Sequence, residues 1–273
     1  MLEQLKYINH MNETLEFGKS KLYVNENDLH DFAWQITSKN DRISGFKKGI
    51  VSKTIPIILK CDSNEEGIAL KNKLFEVFEK DVLAVKHGRI IIGDYYLKCF
   101  VTESAKSEYL INRSYLRITV KVSTDFPYWV KETSSTFNYG SSEAGLDLDF
   151  KRDFPFDFTS NLVGKHLNNT NFVATDFRIN IYGVCENPKI TIGGHSYEVK
   201  ASVGEREYLT IDSVNKTIIL TDARGRKTNL FNMRNRNSYI FEKIPSGASN
   251  VSANGSFKFE VILLEERGEP KWI

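Results

Sequence analysis

Cysteine is scarce: the 273-residue chain has three, Cys61, Cys99 and Cys185. Their number is odd and their spacing wide, so no disulfide framework or zinc-ligand pattern can be built from them, and a reducing compartment is expected. An excess of one charge is also missing, since 37 Lys and Arg stand against 35 Asp and Glu for a formal net charge of +2. With a pI near 8.2, this is not the make-up of a dedicated nucleic-acid binder, for which about 9 and above is usual. Long apolar runs are absent. Ile55–Leu59 and Val261–Leu264 fall far short of the roughly 18 residues a spanning helix needs. The polar opening, MLEQLKYINHMNETLEFG, has no apolar segment of the kind a secretory signal requires. The expectation is a protein made without an export signal and with no membrane partner.

What is present is an ordinary globular composition, 41% apolar and 26% charged, long enough for one or two domains. The first half reads mainly as strands. Lys21–Val24, Thr54–Lys60, Gly88–Ile92, Tyr95–Val101 and Tyr115–Val122 are rich in β-branched and aromatic residues. In the last of these Leu116, Ile118, Val120 and Val122 alternate with polar residues, the pattern of a half-buried antiparallel strand. One helix is predicted over Glu65–Lys80, opened by a capping box at Ser63 and Glu66. Leu70, Leu74, Val77 and Phe78 form its core stripe, Phe75 widens it, and Lys71, Lys73, Glu76 and Glu79 take the wet face.

Residues 131–145 are rich in Ser, Thr and Gly, which places a domain boundary there. The expected division is 1–132, a linker 133–145, and 146–273. The second half is almost purely β. Phe177–Val184 alternates, and Lys189–Ile192 and Tyr197–Lys200 flank Gly193 and Gly194 as a hairpin. Tyr208–Asp212 and Thr217–Thr221 form another, and Ser238–Phe241 and Ser256–Leu264 follow. Short strands at near-regular spacing argue a β-sandwich. The fold class is therefore mainly β.

Catalytic and ligand-binding templates are not met. Gly88 and Gly93 have phosphate-loop spacing, but Asp94 and Tyr95 stand where Lys and Ser or Thr are needed, and a plain hairpin is the better reading. Asp147, Asp149, Asp153 and Asp157 alternate with Phe150, Phe154, Phe156 and Phe158. Lys151 and Arg152 break a calcium loop there, and a glycosidase pair would need a cleft, so a strand with aromatics inward is preferred. His10, His30, His87, His166 and His195 form no i, i+4 pair. Arg224, Arg226, Lys227, Arg234 and Arg236 cluster without an intervening acid. They read as solvated loops rather than a polyanion site. No catalytic, metal or cofactor residue is assigned, ligand-binding residues stay open, no cofactor is expected, and the chain is expected not to be an enzyme.

The first 132 residues resemble the distal tail protein family of siphophages infecting Gram-positive bacteria, also found in prophages. The resemblance rests on an ordered series: Trp34 to Thr37, Ile43 to Phe46, the helix end from Leu74 to Asp81, His87 to Arg89, Gly93 to Cys99, and Asp125 to Glu132. In the second half the matching pieces are Asp153 to Phe158, the turns at Gly193–Gly194 and Asn215, and Pro245 to Gly247.

The resemblance implies an N-terminal ring-forming, β-sandwich-like domain with one α-helix, and a galectin-like C-terminal β-sandwich. It implies a homo-hexameric ring at the virion tail tip, made in the host cytoplasm, that joins the tail tube to the baseplate. The implied partners are the tail tube protein, a tail-associated or tail fibre protein and receptor-binding baseplate proteins, with DNA passing through the channel without specific binding. It also implies that the first domain carries the ring, so that a fragment 1–132 self-associates while 146–273 stays monomeric. A carbohydrate-binding adhesin, touching the cell wall through the second sandwich, is the alternative.

Overall fold

A computed structural model of the chain describes residues 5–18, 21–24, 26–109, 114–138 and 166–272. The chain divides into two compact units, Met1–Lys131 with Glu266–Ile273, and Glu132–Glu265. As the sequence predicts, the described residues are mainly β with one long helix.

The first unit begins with β1 (Leu5–Ile8), β2 (Thr14–Glu16), β3 (Leu22–Val24), β4 (Gln35–Lys39), β5 (Arg42–Lys47) and β6 (Val51–Lys60). Helix α1 (Asn64–Ala84) follows, then β7 (Gly88–Ile92), β8 (Tyr95–Tyr109), β9 (Tyr115–Thr124) and the start of β10 (Trp129–Asn138). The long β8 belongs to two sheets. Its first residues pair with β7, which pairs with β1 and through it β2. Its later residues pair with β9, which continues to β6 and β3. Both sheets and α1 feed one core, including Tyr7, Ile57, Leu74, Phe78, Ile90, Ile118 and Trp129. In β9 the four residues expected inward are all buried.

Helix α1 starts where the capping box places it. The Ser63 side chain accepts from the Glu66 amide at 3.1 Å, and the Glu66 carboxylate accepts from the Asp62 amide at 2.8 Å. Lys21 adds ion pairs to Asp62 and Glu66, each at 2.6 Å. Leu74, Val77 and Phe78 are buried, with Leu70 packed against them. Phe75 is not part of this stripe. It is 54% exposed, because at 100° per residue it lies a full turn-quarter away from Leu74, beyond the reach of the sheet.

In the second unit the chain continues from β10 through β11 (His166–Asn169), β12 (Asp176–Tyr182), β13 (Cys185–Glu186), β14 (Lys189–Ile192), β15 (His195–Glu198) and β16 (Ser202–Val203). The remaining strands are β17 (Tyr208–Asp212), β18 (Thr217–Thr221), β19 (Lys227–Asn229), β20 (Gly247–Ala253) and β21 (Lys258–Arg267). One sheet runs β19-β18-β17-β12-β21, and the other β11-β20-β14-β15. Phe177, Ile179, Ile181, Tyr197, Leu209, Ile218, Val251 and Phe259 from the two sheets share a core, which is a β-sandwich. Gly193 and Gly194, at φ of 58° and 86°, make the tight turn between β14 and β15, a backbone region closed to most side chains.

Three expectations change. Residues 133–138 are strand, not linker. Their Ser and Thr are ladder-compatible, Phe137 is buried in the second core, and the Ser134 hydroxyl donates to Glu260. The rest of the expected linker, residues 139–145, and the acidic run from Asp147 to Asp157 lie outside the described residues. Ser238–Phe241 is a turn rather than a strand. The Glu242 amide closes it on the Tyr239 carbonyl, and the Tyr197 hydroxyl donates to the Glu242 carbonyl. Finally, Glu266–Ile273 groups with the first unit, where Trp272 stacks on His30 at 3.8 Å. A fragment ending at 132 would lose that contact.

Leu74→Ala or Phe78→Ala is expected to cost roughly 2–5 kcal/mol through lost burial and cavity formation. Lys73→Ala and Phe75→Ala should each cost less than about 0.5 kcal/mol. Urea denaturation of the four variants checks this, and a Phe75 effect as large as that of Leu74 would contradict the observed helix face.

Candidate interaction surface

The segment 34–48, WQITSKNDRISGFKK, folds into a two-stranded ribbon of β4 and β5 that pairs with no other strand among the described residues. Lys39 faces Arg42 across a two-residue loop, Asn40 and Asp41, with φ of 51° and 58°. Asn and Asp tolerate this left-handed region better than other side-chain-bearing residues, which is why they fit a type I′ hairpin turn. Sequence reading placed Trp34 to Thr37 and Ile43 to Phe46 as separate pieces. The Asn-Asp pair between two alternating runs is the signal that would have joined them.

Register decides which side chains share a face. Ile36 lies opposite Phe46 and Ser38 opposite Ile43, and a bulge at Thr37/Ser38 keeps Ile43 on the Ile36 face. Trp34 falls on the same face two residues before Ile36, with its ring 6.4 Å from that of Phe46. Gln35, Thr37, Lys39, Arg42 and Lys47 occupy the other face. The ribbon is thus amphipathic, yet its apolar face is open. Ile36 and Ile43 are each 61% exposed, Phe46 60% and Trp34 43%. Burying side chains of this size stabilises by about 1.5–3 kcal/mol each, so the uncovered row leaves stabilisation that a contact from outside the chain could supply.

The base of the ribbon is held firmly. The Lys48 ammonium donates to the Pro127 carbonyl at 3.0 Å and sits 4.7 Å and 4.4 Å over the Trp34 and Tyr128 rings. Lys53 donates to the carbonyls of Asp28, at 2.7 Å, and Asp31. Burial, and for Lys48 the nearby charge of Lys53, pull both ammonium pKa values below the usual lysine range. A cavity of roughly 180 Å³ lies beside them, lined in part by Phe32, Pro127, Trp129 and Gly268.

A second polar cluster sits at the end of α1. Asp81 is fully buried and accepts from the Tyr7 hydroxyl at 2.5 Å and the His10 amide at 2.8 Å, while His10 Nδ1 lies 2.6 Å from it. Gly88 passes so close that a Cβ there would stand 2.3 Å from Asp81 Oδ2 and Tyr7 Oη. That close approach, not a phosphate cradle, is what the glycine serves. Sequence reading listed Asp81 only as part of a family-like stretch and missed its burial, which no local pattern reveals. Burial and the carboxylate push the Tyr7 phenol far above its ordinary range. Burial does the same to Tyr182, beside Glu260, and to Tyr197.

The other sequence candidates do not converge. His87 pairs with Asp125 at 3.0 Å, His195 lies 2.9 Å from the Tyr239 carbonyl, and His30 stacks on Trp272. His166 stands at the start of β11. Among the described residues no group of three or more His, Cys, Asp or Glu is placed to hold a metal. In the basic cluster Arg226 pairs with Asp222 at 2.6 Å, and the Arg234 guanidinium covers the Phe231 ring at 3.9 Å. Arg236 is exposed. The cluster is therefore partly neutralised by an acid just before it in sequence.

No family model and no curated protein matches the sequence. Solved structures do match in fold. The Dit protein of phage SPP1, described as a paradigm of the hub adsorption apparatus in phages infecting Gram-positive bacteria, aligns with a TM-score of 0.59 at 8% identity. That alignment covers 96% of this chain and 99% of the SPP1 protein. A chain of the phage P2 baseplate in its activated conformation with calcium aligns at 0.63 with 13% identity, over 99% of this chain and 100% of that one. The same baseplate with strontium gives 0.64 at 11% identity, again over 99% and 100%. The likeness is one of fold, and it extends over both units.

Two outcomes follow for measurement. Ile36→Lys and Phe46→Lys should leave the melting temperature close to that of the parent and lower the binding of an apolar dye; a large loss of stability would show that the face is covered within the chain. For Tyr7, Tyr182 and Tyr197, the folded state holds the proton more tightly than the unfolded chain does. Their contribution to stability is therefore complete below about pH 10, the unfolded phenol value, and falls as pH rises above it. Alkaline spectrophotometric titration should show these three ionising only with unfolding, and early ionisation of all twelve tyrosines would contradict their burial.

Proposed function

We propose that this chain is a structural protein of a phage tail tip, forming a hexameric ring that joins the tail tube to the baseplate and leaves a channel for DNA. The observation that carries the reading is the uncovered amphipathic ribbon of the first unit. It lies in a chain whose whole length shares the fold of hub and baseplate proteins. A ring subunit needs a surface that is stable in water yet gains by burial against a neighbour, and the ribbon has both properties.

The other features suit the role. The formal charge of +2 provides no strong field to hold DNA, as a passive channel requires. The His and Asp groups found together, such as His10 with Asp81, tie elements to one another instead of facing a cleft. The second sandwich then supplies a docking surface for the tail fibre and receptor-binding proteins.

Native mass measurement and negative-stain imaging of the full chain test the reading. The expected result is a closed six-fold ring with a central hole, and no lysis of purified cell walls. An open filament, or a dimer with two-fold symmetry, would sink it.

A further inference from the structure

We propose that residues 266–272 are a strap that sets the pose of the β4–β5 ribbon, which is therefore held only after the second sandwich is complete. The strap continues β21, whose earlier residues pair with β12 in the second unit. From Glu266 onward the chain groups with the first unit. There it lies against the segment that leads into the ribbon. The Trp272 ring stacks on the His30 ring, with centroids 3.8 Å and planes 17° apart. His30 is 9% exposed and Trp272 72%, so the indole covers the imidazole from the solvent side. Gly268 passes so near that a Cβ on it would stand 3.6 Å from Phe32 and 3.4 Å from Lys48 Nζ. Pro270, between the two contacts, is buried.

The ribbon pairs with no other strand among the described residues, so its direction is fixed where the chain enters and leaves it. The exit is secured by a ladder, since Val51 at the start of β6 pairs with Thr124 of β9. The entry, residues 28–34, has none. From one side Lys53 donates to the Asp28 and Asp31 carbonyls, and the Thr54 amide donates to the Asp28 carboxylate at 2.7 Å. From the other side come Gly268 and Trp272. The cavity of roughly 180 Å³, lined by Asp31, Phe32, Lys53 and Gly268 among others, lies at this joint. It deprives the entry of close packing, and a segment held by few contacts opens at low cost. Residues 132–265 separate the strap from the rest of the first unit. Until they are made and β21 has found β12, the ribbon carries its apolar row without a fixed direction. A surface that must be ordered at the moment of contact binds more weakly than one already held in place. The inference concerns how the ribbon is mounted and is independent of what covers it.

Hydrogen–deuterium exchange tests the strap on the full chain, on Trp272→Ala and Trp272→Phe, and on a chain ending at Arg267. Circular dichroism and a urea titration first verify that each one folds. Amides of residues 28–48 should exchange roughly two- to tenfold faster in Trp272→Ala, the range expected when one aromatic pair is lost. The shortened chain should exchange faster still there. Trp272→Phe keeps a ring on His30 and should stay close to the wild type. Helix α1 and β12 should hold wild-type rates throughout, because the opening is local. Wild-type exchange of residues 28–48 in the shortened chain would overturn the proposal. So would an equal acceleration of α1 and β12, which would show the strap stabilising the whole chain and not the mount of the ribbon.

Discussion

The carboxylate of Asp81 is the fixed point of the first unit. A buried carboxylate is tolerated only when donors surround it, and here the donors come from β1 and the turn after it: the Tyr7 hydroxyl and the His10 amide. The end of α1 is thereby locked to β1 and the turn that follows it. Gly88 follows from the same constraint, since any side chain there would strike Asp81 and Tyr7. Once that end is pinned and Ser63 caps the other, the helix has no rotational freedom left. Its core stripe and its exposed stripe are set together. The position of Phe75 on the outer flank is thus a consequence of Asp81 and not a local accident.

Much of this was legible in the sequence because it is periodic. The alternation of Leu116, Ile118, Val120 and Val122 gave β9 its inward face, and the Gly193–Gly194 pair gave the hairpin of the second unit. The Ser63–Glu66 capping box located the helix start to within a residue. Each of these is a signal carried by neighbours in the chain. What was not legible depends on partners far apart. Asp81 meets Tyr7 across 74 positions, and Ser134 meets Glu260 across 126. The Ser- and Thr-rich stretch after Lys131 reads as a linker because its strand is stabilised by the ladder, by Phe137 and by the Ser134–Glu260 hydrogen bond, not by its own composition.

The ribbon lies between these cases. Its alternation is visible in the sequence, but alternation predicts only that one face will be buried, not by what. Here the apolar row of Trp34, Ile36, Ile43 and Phe46 remains in water, so the local pattern and the fold of a single chain disagree. In a natural sequence such a conflict is expected at functional surfaces, where the missing contact comes from outside the chain. Phe75 presents the same conflict on the helix.

A chain that leaves an apolar row in water has to avoid indiscriminate association. An exposed two-stranded ribbon presents free edges, which invite pairing with any other strand. This one is short, twisted by a bulge and flanked by Lys39, Arg42 and Lys47, all devices that discourage edge-to-edge growth.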